Sequence, residues 1–383
     1  MNIVIVTPFF NERLNNIKSK TKSSLTILAE ELSKYANISI ISSKIPGEKK
    51  IEEINPNLRI IRFKPTFFIP SLPYVLDILQ FLKIIRICKK HGCNVLIGNS
   101  LQFFCCFSAA IASKIGNYPF ICRIIGESST TNRFLIDFIA KLYDHSFSKL
   151  ILKIADKIFV QSKIMLKRPI SLGIPSKKVV IVEDGVDLSK YDKNVKPNYL
   201  REEFNIAENN IVITFTSRLY KLKGIEDLII VAKDIVNDYS NVIFLIAGTG
   251  PLYNKLVKET KDKDQIKILG YRKDVPNILA LSNIHVHPSY SEGLSPSILE
   301  ACAMGLPIVS TPVGSNPDLF ANGIKGFLIE PGDIDNLKKS LIKLIEDKEL
   351  RNEMGKNNER IIQEKYDLKK TALKFLEQLN ISN

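Results

Sequence analysis

Short apolar, β-branched runs alternate with longer amphipathic runs along almost the whole chain. The longer runs predict helices, because apolar side chains at i, i+3, i+4 and i+7, as at Leu25, Leu28, Ala29 and Leu32, form one stripe. The short runs predict buried strands. Strands that alternate with helices are typical of parallel sheets covered by crossover helices. The pattern therefore predicts an α/β protein with doubly wound sheets.

The alternation falls into two series, separated by the polar stretch 188–210, which is the best candidate for a linker. The predicted strands of the first series are 2–7, 38–43, 58–63, 95–99, 120–125, 157–161 and 179–183. Those of the second are 211–217, 242–248, 266–270, 284–288, 307–311 and 326–330. Helices of the second are predicted near 223–239, 251–262, 295–304, 333–347, 349–364 and 367–380. Ligands of doubly wound sheets bind beyond the strand carboxyl ends, so we expect an active site in a cleft between two such domains.

The charge of the chain is uneven. The 54 Lys and Arg residues exceed the 40 Asp and Glu residues by 14. All of this excess lies in residues 1–190, which carry 28 basic and 14 acidic side chains, whereas residues 191–383 carry 26 of each. The asymmetry indicates either an acidic partner or a solvated Lys-rich surface. Nucleic acid is the weakest candidate partner, because the chain has no helix-turn-helix pattern and no zinc-finger spacing.

Cysteine spacing and hydropathy indicate the cellular compartment of the protein. The six cysteines follow no disulfide framework, so we interpret them as core residues of a protein in a reducing environment. Residues 1–7 resemble a first strand rather than a signal peptide. Polar residues interrupt the apolar segments 66–87 and 95–112, so neither predicts a membrane span. We expect a cytoplasmic protein, either soluble or peripheral at the inner face of the cell membrane.

The strongest chemical signal is the segment Ser291–Ala301. Glu292 follows a predicted strand, Gly293 permits unusual backbone angles, and Ser295-Pro296 is typical of a helix start. The amides of such a start attract phosphate oxygens. Glu300, about one turn into the helix, can accept hydrogen bonds from vicinal hydroxyls such as those of a ribose.

Two other turns follow predicted strands. Arg218 and Lys223 lie five positions apart across a strand-to-helix turn, where a guanidinium and an ammonium group can neutralise a diphosphate together. Gly248 and Gly250 lie in a turn where glycines let the backbone approach a ligand closely, although they can equally be plain turn residues. The four histidines show no metal-ligand spacing, so we predict no metal site and interpret His285 and His287 as strand and cleft-wall residues.

In their order and context, these motifs resemble the nucleotide-sugar domain of the family-four retaining glycosyltransferases, the glycosyl transferases group 1, which have the GT-B fold. The resemblance implies that Glu292 contacts the sugar hydroxyls, that Glu300 holds the ribose, and that Arg218 and Lys223 bind the donor diphosphate. The full donor-binding set that it implies is Arg218, Lys223, Gly248, Gly250, Tyr271, Arg272, Glu292, Gly293, Leu294, Ser295 and Glu300.

The resemblance also implies the domain organisation. Residues 1–190 would form an acceptor-binding Rossmann-like domain and residues 191–365 the donor-binding one, with a C-terminal helix within 366–383 crossing back onto the first domain. Negative charge on the departing diphosphate would be stabilised by Arg218 and Lys223, so the reaction is expected to need no cofactor and no divalent metal.

The first half departs from the family pattern at three places. Residues 10–16 stand where many members have a Gly-Gly pair beside the donor phosphates. Glu127 follows the fifth predicted strand, where many members have a histidine, and we therefore place it among the catalytic candidates with Glu292, Lys223 and Arg218; Arg123 is a weaker alternative for that neighbourhood. Asp184 replaces the Asn of the family's interdomain Asn-Gly-Val-Asp.

The expected function is transfer of a sugar from a nucleoside diphosphate sugar to an acceptor hydroxyl, in the assembly of a cell-surface polysaccharide, glycolipid or glycoprotein glycan. Two alternatives remain at this point: a nucleotide-sugar epimerase on the same fold, and a non-catalytic nucleotide-sugar-binding subunit of a glycan-assembly complex. Because the donor site lies in the neutral half, the basic half predicts a lipid-linked or acidic glycan acceptor and contact with an anionic membrane surface.

Overall fold

The structure is a computed structural model that describes residues 1–8, 23–44, 47–64, 80–101, 104–126 and 144–379. The chain divides into two compact units. The first comprises Met1–Asp184 together with Leu368–Asn383, and the second comprises Gly185–Asp367. Each unit is an α/β layer structure around its own sheet, which confirms the predicted fold class.

The first unit is built on an eight-stranded sheet in the order β3-β4-β2-β1-β5-β6-β7-β8. All neighbours are parallel except β3, which pairs antiparallel with β4 at the edge. The strands are β1 (Asn2–Val6), β2 (Asn37–Ser43), β3 (Ile51–Asn55), β4 (Leu58–Phe63), β5 (Val95–Asn99), β6 (Phe120–Arg123), β7 (Lys157–Val160) and β8 (Val179–Ile181). The helices described are α1 (Ser24–Leu32), α2 (Gln80–Lys90), α3 (Phe104–Gly116), α4 (Lys149–Ile154), α5 (Lys167–Ser171) and α14 (Leu368–Leu379), with a π-helical turn at Asp144–Ser148 and 3₁₀ turns at Ile164–Leu166 and Ser176–Lys178.

The last helix, α14, completes the core of the first unit. The ring of Phe375 packs edge-on against Phe159 of β7, with 5.1 Å between the ring centroids. Lys157 Nζ donates a hydrogen bond to the carbonyl oxygen of Gln378 at 2.8 Å. Both chain ends therefore contribute to the same unit.

The second unit is built on a parallel six-stranded sheet in the order β11-β10-β9-β12-β13-β14. Its strands are β9 (Ile211–Thr216), β10 (Val242–Ala247), β11 (Ile266–Gly270), β12 (Ile284–His287), β13 (Ile308–Ser310) and β14 (Gly326–Leu328). Its helices are α6 (Asn198–Glu203), α7 (Ile225–Asp238), α8 (Tyr253–Thr260), α9 (Val275–Leu281), α10 (Pro296–Ala303), α11 (Asn316–Ala321), α12 (Ile334–Glu346) and α13 (Lys348–Lys365), with 3₁₀ turns at Leu188–Lys190 and Lys221–Lys223. The side chains of β9, β10, β12 and β13 are almost all buried, as expected for a sheet covered on both faces, whereas the edge strands β11 and β14 are partly exposed.

The stretch predicted as a linker, 188–210, is not free of structure. It contains α6, whose Leu200 is fully buried. The boundary of the second unit lies at Gly185 because Val186 is buried there, and its amide donates to the carbonyl oxygen of Tyr366 at 2.8 Å.

No helix among the described residues is long and apolar enough to cross a bilayer. In the segment 66–87, residues 66–79 lie outside the described part of the chain and the rest begins α2. All six cysteines are free thiols.

Candidate functional site

Three loops follow neighbouring strands of the second sheet. The strand β9 lies between β10 and β12, and all three are parallel, so their carboxyl ends meet at one edge. The turn 217–224 follows β9, the turn 248–252 follows β10, and the loop 288–295 follows β12. The motifs singled out in the sequence therefore lie side by side, where doubly wound sheets bind their ligands.

Backbone contacts hold these loops together, and glycines make them possible. A Cβ atom at Gly248 would lie 1.8 Å from the carbonyl oxygen of Ser217, and one at Gly250 would lie 2.4 Å from that of Leu219. A Cβ at Gly224 would lie 1.8 Å from the carbonyl oxygen of Pro288. These glycines are thus required for loop packing, whatever else they contact.

The centre of the site is the carboxylate of Glu292. Its Oε1 atom accepts a hydrogen bond from Lys223 Nζ at 2.7 Å and lies 2.5 Å from Nε2 of His287. The His287 ring is itself held by two hydroxyls: Ser297 Oγ lies 3.2 Å from Nδ1, and Ser295 Oγ lies 3.3 Å from Nε2. The structure thus joins two predicted residues, Lys223 and Glu292, through a histidine that the sequence analysis assigned to the strand.

The surroundings of Glu292 keep it ionised. Its side chain is only 8% exposed, and burial alone would raise its pKa. The His287 ring and the Lys223 ammonium outweigh burial and lower the pKa of the Glu292 carboxyl from 4.5 to about 2. At neutral pH the site therefore contains a fixed, largely buried carboxylate.

A second loop supports the backbone of Glu292 from behind. The amide of Ser315 donates to the carbonyl oxygen of Gly293 at 2.8 Å. Gly314, which has a φ of +56°, passes so close that a Cβ would lie 2.3 Å from the carbonyl oxygen of Glu292. Leu294 is buried in the core beneath the loop.

The predicted helix start is present as α10, with Pro296 in its first turn. Ser295 occupies the N-cap position but its side chain makes no capping hydrogen bond. Its hydroxyl instead lies 3.1 Å from Ser297 Oγ as well as next to His287. The cap residue therefore serves the Glu292 cluster rather than the helix amides.

The other acid, Glu300, lies further along α10 in a different environment. Burial raises the pKa of Glu300 to about 7, although the neighbouring Tyr191 and Lys190 side chains act to lower it. The two predicted acids thus differ in charge state near neutral pH.

Three other predicted donor residues, Arg218, Tyr271 and Arg272, differ in exposure and in their hydrogen-bond partners. Arg218 is exposed, with its guanidinium 5.6 Å from the centre of the Tyr220 ring. Tyr271 is 37% exposed. Arg272 is held by Glu203, at 2.6 and 3.1 Å, and by Asp274 at 2.7 Å, so its guanidinium links α6 to the start of α9.

The first unit holds a second buried polar cluster at the carboxyl ends of its strands. Arg123 forms an ion pair with Asp184 and donates to Asn99 Oδ1 at 3.0 Å. Gln161 Nε2 donates to the other Asp184 oxygen at 2.6 Å. An aspartate at position 184 neutralises this buried guanidinium, which an asparagine would not do. Glu127 and residues 10–16, which the sequence analysis placed in this neighbourhood, lie outside the described residues.

Within the described part of the chain, no three His, Cys, Asp or Glu side chains are grouped closely enough to hold a metal ion. His285 is fully buried and stacks on His287 with 6.2 Å between centroids. Burial, with a smaller contribution from His287, lowers the pKa of His285 to about 3, so it is a neutral core residue.

Sequence reasoning placed His287 on a strand and at the cleft wall without giving it a role, and it did not single out Tyr191. His287 carried a weak signal, because it is the last residue of its strand and lies at the edge where the ligand loops begin. Tyr191 carried none, since it lies in a polar stretch that lacks periodicity.

Comparison with known proteins places this site in context. Residues 198–361 match the family model for glycosyl transferases group 1. An Escherichia coli UDP-Gal:alpha-D-GlcNAc-diphosphoundecaprenol alpha-1,3-galactosyltransferase is 28% identical over 304 residues, which cover 76% of this chain and 77% of the relative. Among solved structures, sucrose-phosphate synthase from Thermosynechococcus elongatus has a TM-score of 0.78 at 18% identity, with 98% of each chain covered. Anabaena HepE in complex with UDP-glucose has a TM-score of 0.74 at 18% identity, with 99% of each chain covered.

Proposed function

We propose that this chain, which has the GT-B fold and matches the glycosyl transferases group 1 model over residues 198–361, transfers a sugar from a nucleoside diphosphate sugar to an acceptor hydroxyl, with retention of anomeric configuration. The observation that carries the proposal is the cluster of Lys223, Glu292 and His287 at the strand ends of the second unit. It sets a cation and a fixed carboxylate side by side, as a diphosphate sugar requires.

In this proposal Lys223 acts on the leaving group. When the bond between the sugar C1 and the phosphate oxygen breaks, both electrons remain on the diphosphate. A cation already held in the site stabilises this charge without reorganisation in the transition state. Arg218, exposed on the same turn, supplies a second positive charge, and no metal or cofactor is needed.

Glu292 acts on the sugar. Its carboxylate is held by His287 and Lys223, so it presents acceptor oxygens to sugar hydroxyls at a fixed position. The acceptor oxygen then bonds to C1 on the face that the phosphate leaves, and the acceptor proton passes to the departing phosphate oxygen. The step thus balances without a protein nucleophile.

We place the acceptor with the basic first unit. The Escherichia coli relative acts on a diphosphoundecaprenol-linked sugar, which is an anionic lipid-linked acceptor. An acceptor of this class matches the excess of basic residues in the first half of the chain. We therefore propose a cytoplasmic enzyme, peripheral at an anionic membrane surface, in the assembly of a cell-surface glycan.

The test begins with the donor. Thermal shift with UDP, GDP and ADP sugars identifies the nucleotide, because a ligand that binds only the folded state raises the melting midpoint. Donor consumption is then measured for E292A and K223A, each of which should lower turnover by at least about 100-fold.

The matched control is K255A, which breaks another Lys–Glu pair of the same unit, between Lys255 and Glu226 at 2.5 Å. It should retain turnover. Wild-type activity in folded E292A or K223A would overturn the site assignment. Release of an epimerised donor without any acceptor would instead indicate an epimerase, and donor binding without transfer would indicate a binding subunit.

A further inference from the structure

The two carboxylate oxygens of Glu292 are used unequally by the protein. Its Oε1 atom is shared by Lys223 Nζ at 2.7 Å and by His287 Nε2 at 2.5 Å. Among the described residues, no side chain or amide is hydrogen-bonded to the other oxygen, Oε2. Because each carboxylate oxygen can accept two hydrogen bonds, the capacity of Oε1 is filled and that of Oε2 is not.

The hydrogen between His287 and Glu292 belongs to the histidine ring. The Glu292 carboxyl is ionised at neutral pH, since its pKa is lowered to about 2 although burial alone would raise it. An ionised carboxylate only accepts hydrogen bonds, so Nε2 of His287 is the donor. The ring therefore binds Oε1 in the same way as the lysine does.

The His287 ring is fixed from two further directions. On its other nitrogen, Nδ1, it meets the hydroxyl of Ser297 from α10 at 3.2 Å. The ring of Phe215, from the neighbouring strand β9, stacks on it with 6.0 Å between centroids and 15° between planes. A ring that is bonded at both nitrogens and stacked on one face directs Nε2 to a single position.

We propose that His287 is a positioning residue that occupies Oε1 of Glu292 and thereby assigns Oε2 to the hydroxyls of the donor sugar, with Ser297 fixing the ring. This inference rests on the proposed function, which gives Glu292 the sugar. The His287 side chain is only 1% exposed, so it acts through the carboxylate and does not itself contact the sugar. Its effect should therefore appear in recognition of the sugar and not of the diphosphate.

The strand β12 carries a second histidine that serves as a comparison. His285 lies two positions before His287, is fully buried and stacks on it with 6.2 Å between centroids. Among the described residues, neither ring nitrogen of His285 has a hydrogen-bond partner. Only one of these two buried imidazoles therefore contacts the Glu292 carboxylate.

The experiment measures affinity by isothermal titration calorimetry for a nucleoside diphosphate and for its glucose, galactose and N-acetylglucosamine forms, with the base chosen by thermal shift. In H287F, affinity for the sugar form that the wild type binds best should fall about tenfold, as for a lost hydrogen bond to a charged group. Affinity for the diphosphate alone should not change. H287Q, whose amide can donate to the same oxygen, should recover most of the loss.

A third variant tests the support of the ring. S297A keeps the imidazole but removes the hydroxyl at Nδ1, so affinity for the sugar form should fall about threefold and affinity for the diphosphate should stay the same. If H287F does not fold, S297A and H287Q decide the question. A loss in S297A that is equal for the sugar form and the diphosphate would overturn the proposal.

The matched control is H285F, which should bind every ligand as the wild type does. An equal loss for diphosphate and sugar forms in H287F, no loss at all, or a loss that H287Q does not recover would overturn the positioning role and leave the proposed function standing. Failure of the wild type to bind any sugar form, or wild-type turnover in folded E292A, would contradict the proposed function, and this inference with it.

Discussion

Glu292 and Glu300 are eight positions apart in one loop-helix segment, yet their surroundings move their pKa values in opposite directions. Glu292 meets a histidine and a lysine, which outweigh its burial and lower its pKa to about 2. At Glu300 the Tyr191 phenol and Lys190 do not outweigh burial, so its pKa rises to about 7. The sequence showed that both acids were present, but charge state depends on partners from distant segments.

These shifts make the free energy of unfolding depend on pH. The folded-state pKa of Glu300 is raised, so its contribution is fully present below about 4.5 and is lost as pH rises through about 7. E300Q should therefore match the wild type near pH 4 and exceed its stability by about 1–3 kcal/mol at pH 8. Urea denaturation across this range measures the difference, and a destabilised E300Q at pH 8 would contradict it.

The matched variant is E292Q, and its effect on the free energy of unfolding should have the opposite sign. The folded-state pKa of Glu292 is lowered, so its contribution is present above about 4.5 and is lost as pH falls toward 2. E292Q should accordingly be less stable than the wild type at pH 7, by about 1–3 kcal/mol, and the deficit should shrink in acid.

The roles of some site residues could be predicted from the sequence and those of others could not, for physical reasons. Lys223 and Glu292 each follow a predicted strand, so the pattern placed both at strand ends, whereas the pairing of β9 with β12 that brings them together is a finding of the structure. The contact of His287 with Glu292 was not predictable, because His287 lies on a buried strand, where sequence alone cannot distinguish a site histidine from a core residue. Arg272 is an attractive cation in the sequence, but the structure surrounds it with Glu203 and Asp274.

At the scale of elements, buried strands were the most predictable part of the fold. All thirteen predicted strands are present with ends within about two residues, because a strand covered on both faces is a continuous apolar run. The strand β3 was missed because it is an edge strand whose side chains are largely exposed. The helices α6, α9 and α11 were missed because each is only about two turns long.

Loop packing gives an element-scale prediction at Gly314. G314A places a Cβ 2.3 Å from the carbonyl oxygen of Glu292 at a φ of +56°, so it should displace the loop that holds this acid. We expect the free energy of unfolding to fall by about 1–3 kcal/mol beyond the cost of the positive φ, and turnover to drop strongly. Chemical denaturation and donor consumption measure the two effects.

The control for G314A is G305A in the same unit. Gly305 has a similar φ of +70°, but its Cβ would make an ordinary contact at 3.5 Å. G305A should lower the free energy of unfolding only by the cost of the positive φ, about 1–2 kcal/mol, and it should keep its activity. Equal losses in the two variants would mean that the close approach to Glu292 is unimportant.

At the scale of the whole molecule, the division into units sharpens the charge asymmetry. The first unit, including the last helix, carries 30 basic and 14 acidic residues, a net charge of +16. The second carries 24 basic and 26 acidic residues, a net charge of −2. The C-terminal helix thus adds to the basic character of the unit onto which it packs.

This distribution predicts salt-sensitive binding to anionic vesicles through the first unit. Arg86, Lys89 and Lys90 are exposed on α2, so reversing all three to Glu should weaken binding to phosphatidylglycerol vesicles at least tenfold at low salt. Wild-type binding should itself weaken as salt rises. Vesicle sedimentation measures both effects.

The matched control makes the same change in net charge on the second unit, by reversing the exposed Lys258, Lys261 and Lys348 to Glu. It should leave vesicle binding nearly intact. An equal loss of binding in both triple variants would show that total charge matters and not its placement. If the wild type does not bind vesicles at low salt, the basic excess is only a solvated surface.

The first unit is interrupted in sequence by the whole of the second, since it takes both Met1–Asp184 and Leu368–Asn383. During synthesis, residues 185–367 are therefore complete before Phe375 is available to cover Phe159. The second unit can fold while the chain is still being made, whereas the first unit is complete only after the helix Leu368–Leu379 has left the ribosome. The order of maturation is thus the reverse of the order of the sequence.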